Sequence, residues 1–268
     1  MLTRLETIIV EKPWGRSDIP RDFGDFGDRR IGEIWFAHPA GDAAPIMVKF
    51  LFTSERLSIQ VHPDDDAARA ADFPRGKEEC WLILDAQPGA ELGVGLNAMT
   101  TRDKLRDAAL DGSIVDMIDW RRSKTGDFVY NRAGTIHAIG PGLTVVEVQQ
   151  NVDCTYRLYD YGRPRELHLD EGLDVAITGP VHDPRDTFVD ASTNRLLISG
   201  PHFHLVHLAS PIDPALLQRA TGELTFVPLS RGCRVAGEIV ALGEAVLLTD
   251  PSSIEMDQGA RALLTWPA

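Results

Sequence analysis

A mainly β protein, a barrel or sandwich with one short helical insert, is what three features of this 268-residue sequence predict. Short apolar runs recur between clusters of glycine, proline and aspartate, only the stretch 101–119 sustains helical spacing, and strand-like runs resume after residue 201. The runs 31–37, 46–52, 57–61, 80–84, 127–131 and 143–150 are each of strand length and bounded by turn formers. Within 101–119, Leu105, Ala109 and Leu110, then Ile114, Val115 and Ile118, fall near i, i+4 spacing with Gly112 interrupting, so two short helices or one bent helix are expected. Segments 64–71 and 170–177 read as single helices, each opened by an aspartate suited to capping the first turn. Beyond 201, the runs 203–208, 224–228, 245–248 and 262–266 predict a second, smaller β unit. Between the halves, 179–186 (Gly-Pro-Val-His-Asp-Pro-Arg-Asp) is the expected linker, because two prolines among polar neighbours favour a solvated loop. The expected division is 1–178, with the helical insert at about 100–119, and 179–268, packed on the first.

Composition narrows the function classes. Apolar residues make up 43% and charged residues 25%, the usage of an ordinary globular protein with a substantial core. Forty acidic against 27 basic residues leave a formal charge of −13, which argues against nucleic acid as a partner, since phosphate neutralisation needs a basic stripe. A few local cations still suffice to make a positive pocket for a small phosphorylated ligand. Cys80, Cys154 and Cys233 are far apart, with no CxxC pair, which points to a reducing cytoplasm and away from a thiolate metal site. The opening residues lack the apolar run and cleavage site of a signal peptide, and no run of about 18 apolar residues exists to span a membrane.

The densest polar constellation is Leu57-Ser-Ile-Gln-Val-His-Pro-Asp-Asp65. On a strand, Ser58, Gln60 and His62 share one face, aligning a hydroxyl, an amide and an imidazole. Further on come Gly76-Lys-Glu-Glu-Cys-Trp81, where charge runs into an apolar strand, and Gly126 to Gly140, which contains Arg132-Ala-Gly-Thr-Ile-His137. Singly, each piece has a plain structural explanation: a lone strand histidine is ordinarily a packed residue, and a glutamate at a loop-to-strand junction is ordinarily solvated. The spacing of the set is what distinguishes them. His62 two residues after Gln60, an acid after a loop, then Gly-x5-Arg-x-Gly-x2-His resemble the two metal-binding motifs of the cupin superfamily, with Gln60 in place of the usual first histidine and Arg132 in place of proline.

With its flanking text the chain resembles one cupin family in particular, the class I mannose-6-phosphate isomerases (phosphomannose isomerases). The matching pieces are Lys12-Pro-Trp-Gly15, Ile31-Gly-Glu-Ile-Trp35, Val48-Lys-Phe-Leu51, Leu57 to Asp65, Gly76 to Trp81, Ala133-Gly-Thr-Ile-His-Ala-Ile139, and Thr155-Tyr-Arg-Leu-Tyr-Asp-Tyr-Gly-Arg163. They run in order from about residue 12 to 175 and fade beyond Gly179 to a general expectation of a second unit, and the chain looks short for the family. The resemblance implies a cupin (jelly-roll) β-barrel with a short helical insert and a smaller, metal-free cupin-like β unit. It implies one Zn2+ per chain, held by the amide oxygen of Gln60 and by His62, Glu79 and His137, with Glu78 as the alternative acid. Glu79 is preferred because it immediately precedes Cys-Trp and shares its strand face with Trp81. Nitrogen and oxygen donors suit zinc, iron and manganese alike, so the residues by themselves do not select the metal.

The implied reaction interconverts mannose 6-phosphate and fructose 6-phosphate by proton transfer between C1 and C2, which requires a base, an electrophile and a phosphate anchor. Glu147, an acid among apolar residues in Thr144-Val-Val-Glu-Val-Gln149, is the candidate base; a strand-edge glutamate paired with a cation is its plain alternative. Arg157, alternating with apolar and aromatic residues, needs an anion, either a protein carboxylate or, by resemblance, the developing oxyanion of the sugar. Lys77 joins Glu147 and Arg157 in the catalytic set and, with Ser58 and Arg163, offers donors to a phosphate dianion. Lys49, inside an apolar strand, is an additional phosphate candidate. The acid runs 64–66 and 18–30 are placed on solvated turns.

No role is assigned to His38, His168 or His182, nor to His202, His204 and His207, whose pattern lacks a partner acid and a following Gly-x2-His; Tyr156, Tyr159 and Tyr161 are expected to pack. Two rivals remain at this level: an oxygenase-type cupin, since two histidines and a carboxylate resemble non-haem iron sites, and a non-catalytic sugar-phosphate-binding cupin. Gln60 and the cations Lys77, Arg157 and Arg163 favour phosphosugar chemistry over oxygen chemistry. A monomer is the default assembly.

Overall fold

The computed structural model describes residues 2–268 and divides the chain into two compact units, one of 51–187 and one of 1–50 with 188–268. The boundary expected at 178/179 does not follow this division. Strand Leu2–Arg4 pairs with Val246–Leu248, a contact that no local reading of the sequence can reveal. The 179–186 segment, expected as a solvated linker, is instead a strap packed within the 51–187 unit. Val181 is buried and its carbonyl accepts Arg121 Nη2 at 2.6 Å, Asp186 Oδ1 accepts the Tyr130 amide at 2.9 Å, and the Arg185 guanidinium lies 3.3 Å from the Tyr130 ring centre. Of its charged residues, Asp183 accepts from the Arg185 guanidinium and Asp186 from a strand amide.

The 51–187 unit is built from antiparallel strands. Tyr156–Tyr159, Ile59–Val61, His137–Ile139, Glu91–Leu96 and Ile118–Arg122 form one sheet in that order, and Asp127–Asn131, Glu79–Ala86 and Leu143–Gln150 lie side by side in another. The expected strands 127–131 and 143–150 have these bounds, whereas 57–61 is ladder-bonded only at Ile59–Val61. Strands Glu91–Leu96 and Ile118–Arg122 were not legible. Gly93 and Gly95 thin the apolar pattern of the first; a Cβ on Gly93 would stand 2.6 Å from Ile118, so the glycine permits that close approach.

The 101–119 stretch forms two helices, Arg102–Asp111 and Ile114–Met117, separated by Gly112 at φ +87°, a left-handed turn that glycine adopts without strain. These helices and Leu169–Val175 bury Leu105, Ala109, Ile114 and Leu173 against Ile59, Val61, Ile136 and Leu158 on the outer face of the first sheet. Asp64 caps helix Asp65–Ala70, accepting from the Ala67 amide at 2.8 Å. In Leu169–Val175 the N-cap is His168, whose side chain makes no capping bond and instead accepts the Arg157 amide, and Asp170 sits inside the first turn, where it meets Arg106.

In the other unit, six antiparallel strands (Leu2–Arg4, Val246–Leu248, Leu224–Pro228, Arg261–Pro267, Phe203–Ala209, Arg195–Ser199) lie in that order, and Cys233–Val235 pairs with Glu238–Ile239 and Ile254–Met256. Val206, Phe226, Val246 and Leu264 pack with Cys233, Val235 and Ile254 in its core. His204 stacks on Trp266 and buried His207 bonds to the Thr193 carbonyl. All three cysteines are free thiols, and among the described residues no helix is long and apolar enough to cross a membrane.

Candidate metal centre

The inner faces of the two sheets in the 51–187 unit bring three ligand-bearing side chains together. His137 opens its strand directly opposite Gln60; Glu79 opens another and stands opposite Asn131; His62 follows the Gln60 strand. One donor atom from each of His62, Glu79 and His137 lies within 4.8 Å of the others, and each residue is only 1% exposed. His62 Nδ1 is 3.0 Å from the Cys154 carbonyl and His137 Nδ1 is 2.9 Å from that of Thr135. A carbonyl only accepts, so both Nδ1 atoms carry the proton and both Nε2 lone pairs are left for the centre of the cluster, 3.4 and 3.3 Å from Glu79 oxygens.

Burial sets the charge states. It pushes the His62 imidazole down to about 4, helped by the Lys77 charge against the opposing pull of Glu79, and it also lowers His137. Burial alone would raise Glu79, but the Lys77 ammonium outweighs it and holds the carboxyl well below its usual range. The result is two neutral imidazoles and one carboxylate, a donor set that fits a divalent cation with room for further ligands.

These shifts make a testable link to stability. Unfolded His62 takes its proton near pH 6.5 and folded His62 only near pH 4, so between the two the unfolded chain binds more protons and stability falls as the pH falls. Depressed Glu79 acts in the same direction below the ordinary carboxylate range. For His62 alone the loss is on the order of 3 kcal/mol. The thermal midpoint of metal-free protein should therefore drop by about 5–10 °C on going from pH 7 to pH 4.5; a midpoint unchanged over that range would contradict the buried neutral imidazole.

The other candidates divide into those at the cluster and those outside it. Lys77 is buried, with Nζ hydrogen-bonded to Glu79 Oε2 and 3.1 Å from His62 Nε2, so it neutralises the same carboxylate. Gln60 turns its amide nitrogen to His137 Nε2 at 3.2 Å, while its Oε1 accepts from Ser58 Oγ at 3.1 Å. The amide oxygen expected at the ligand position thus faces Ser58; a half-turn of the terminal amide exchanges the two atoms. Glu78 points away from the cluster, where its carboxylate accepts the Tyr130 hydroxyl. Glu147, 4% exposed, lies opposite Trp81 and accepts the indole N–H at 2.9 Å; the same indole lies 5.3 Å from the His137 ring.

Arg157 stands opposite Gln60, with Nη1 donating to the Glu166 carbonyl at 2.8 Å and a buried Nε that has no acceptor among the described residues. Arg163 is engaged by the protein itself: Nη2 meets Asp160 at 2.9 Å and the Arg56 carbonyl at 2.7 Å, and Arg165 shares the same Asp160. Arg163 Nη1 also lies 4.0 Å from Glu55 Oε2, so the two guanidinium groups are met by two carboxylates. Lys49 lies half-buried in strand Ile46–Phe52, among the residues grouped in the other unit. Sequence reasoning passed over Asn131, whose amide nitrogen touches both Glu79 (2.9 Å) and His137 (3.0 Å). The only signal for it was a polar residue alternating with Val129 at a strand end.

A two-sheet barrel with a buried His–Glu–His cluster on its inner faces defines a cupin-type protein with a candidate metal centre. No protein-family model matches the chain. Among curated proteins it is 30% identical over 240 residues to the mannose-6-phosphate isomerase of Streptococcus mutans, covering 74% of this chain and 76% of that protein. It is 40% identical over 158 residues to mannose-6-phosphate isomerase ManA of Bacillus subtilis, covering 54% of this chain and 50% of that protein. The crystal structure of a Bacillus subtilis mannose 6-phosphate isomerase shares its fold, with a TM-score of 0.78 at 24% identity over 98% of both chains. The chain belongs to the class I mannose-6-phosphate isomerase family. Its matches span about half the length of two of the Bacillus subtilis relatives, 50% and 56%.

Proposed function

We propose that this chain is a metal-dependent aldose–ketose isomerase that interconverts mannose 6-phosphate and fructose 6-phosphate, with one Zn2+ held by His62, Glu79, His137 and, after rotation of its amide, Gln60. The observation that carries the reading is the convergence of two Nε2 lone pairs and a carboxylate at one buried point in a chain of this family. A bound divalent ion would supply Lewis-acid polarisation of the sugar's C1 and C2 oxygens.

The chain's own residues supply the rest. Glu147, dry and fixed by the Trp81 N–H, is the base that moves the proton between C1 and C2. Arg157, with an unspent buried N–H on the Gln60 face, stabilises the oxyanion that develops, and Lys77 moves or holds the proton at the sugar oxygens. Ser58 and Arg163 hold the phosphate, the latter beside Arg165 on a shared Asp160. Free buried cysteines accord with a cytoplasmic protein, and a monomer suffices because every proposed ligand belongs to one chain.

A coupled assay for fructose 6-phosphate from mannose 6-phosphate, run on metal-loaded and chelator-treated protein, tests the proposal. Turnover that disappears with chelation and returns with Zn2+ is expected; metal-loaded protein without turnover overturns it.

A further inference from the structure

We propose that Asn131 is a positioning residue of the metal centre, its carboxamide fixing the mutual orientation of Glu79 and His137. The inference rests on the metal-centre reading above. Asn131 ends strand Asp127–Asn131 and stands directly opposite Glu79, so the two side chains share the inner face. It is 1% exposed, its Nδ2–H donates to Glu79 Oε1 at 2.9 Å, and the same nitrogen packs 3.0 Å from His137 Nδ1. One small group thus touches two of the three ligands, His137 at the ring nitrogen turned away from the cluster and Glu79 at the oxygen that faces His137 Nε2.

The two contacts differ in kind. The second Glu79 oxygen is engaged by Lys77, so a donor on the first leaves the carboxylate no freedom to swivel out of the cluster. His137 Nδ1–H is already directed at the Thr135 carbonyl, so the amide nitrogen acts there as a packing stop that sets the plane of the ring. Asn131 Oδ1, by contrast, is buried and accepts no hydrogen bond among the described residues. That oxygen is a desolvation cost which a valine, apolar and favoured in strands, would not carry. The contact that offsets this cost is the donor on Glu79. Outer partners of this type orient metal ligands, and their loss costs about 10–100-fold in metal affinity.

The test compares wild type with Asn131→Val and with Asn131→Ser, which is small enough to fit where the valine variant fails to fold. Zn2+ affinity is measured by competition with a chromophoric chelator, the Co2+-loaded proteins are compared by visible absorption, and the metal-free proteins by thermal unfolding. A 10–100-fold rise in the Zn2+ dissociation constant is expected, together with a changed Co2+ band. At saturating metal, KM for mannose 6-phosphate should stay within about twofold of wild type. Unchanged affinity and an unchanged Co2+ spectrum overturn the inference, as does a fall in thermal midpoint at unchanged affinity, which would assign a packing role. Wild-type protein that binds neither ion overturns the metal-centre reading itself, a failure distinguishable from that of Asn131.

Discussion

His137→Ala is expected to abolish metal binding and to lower turnover by about three orders of magnitude, because Lewis-acid assistance is worth several kcal/mol at the transition state. The imidazole is one of only two nitrogen donors in the cluster, and its Nε2 faces both Glu79 Oε1 at 3.3 Å and the Gln60 amide at 3.2 Å. Its removal leaves His62 and Glu79, with Lys77 already bonded to both, so the charge of the carboxylate is met by the ammonium and the attraction for a divalent ion falls. The ring also fills space between Trp81 and His62, at centroid distances of 5.3 and 4.8 Å, so some loss of thermal stability accompanies the substitution. Metal content by elemental analysis, read beside the coupled assay on the same preparation, separates the two effects. An equimolar bound ion with a rate within about tenfold of wild type would remove His137 from the ligand set.

The parts of this centre that could be read from sequence are those fixed by local periodicity. Gln60 and His62 share a strand face because side chains alternate, and the same rule puts Glu79 with Trp81 on the inner face while Glu78 turns to Tyr130. Strands 127–131 and 143–150 were legible because turn-forming residues bound them on both sides. What was not legible depends on which strands become neighbours. Asn131 matters only because its strand lies beside Glu79, and Arg163 has Asp160 as a partner only because the 160–163 turn closes on itself, with the Arg163 amide on the Asp160 carbonyl at 3.0 Å. The strap 179–186 looks like a linker in composition, yet its Asp183–Arg185 pair and the Tyr130 amide on Asp186 tie its polar groups to the protein. Grouping of residues 1–50 with 188–268 likewise rests on pairings such as Leu2 with Leu248, far beyond any local window.

Glu147→Gln is the sharper test of chemistry, since it changes the proton-accepting capacity of the site and little else. The glutamine is isosteric, and its amide oxygen can still accept the Trp81 N–H that now ends on Glu147 Oε2 at 2.9 Å, so the indole keeps its place beside His137. Glu147 is not among the three candidate ligands and its Oε2 is held by the Trp81 indole, so metal stoichiometry and affinity should match wild type. A carboxamide cannot take a carbon-bound proton, and kcat is expected to fall by about 10²–10⁴-fold with KM little changed, the pattern of an interaction made only in the transition state. Exchange of the sugar's C2 hydrogen with deuterated solvent gives an independent readout and should be lost in parallel with turnover. Loss of turnover with exchange intact would place the defect in proton transfer between the oxygens, which points to Lys77 and not Glu147. A near-normal rate for both would leave Glu147 as the residue that orients Trp81 and would require the base to be sought among the groups that touch the cluster directly.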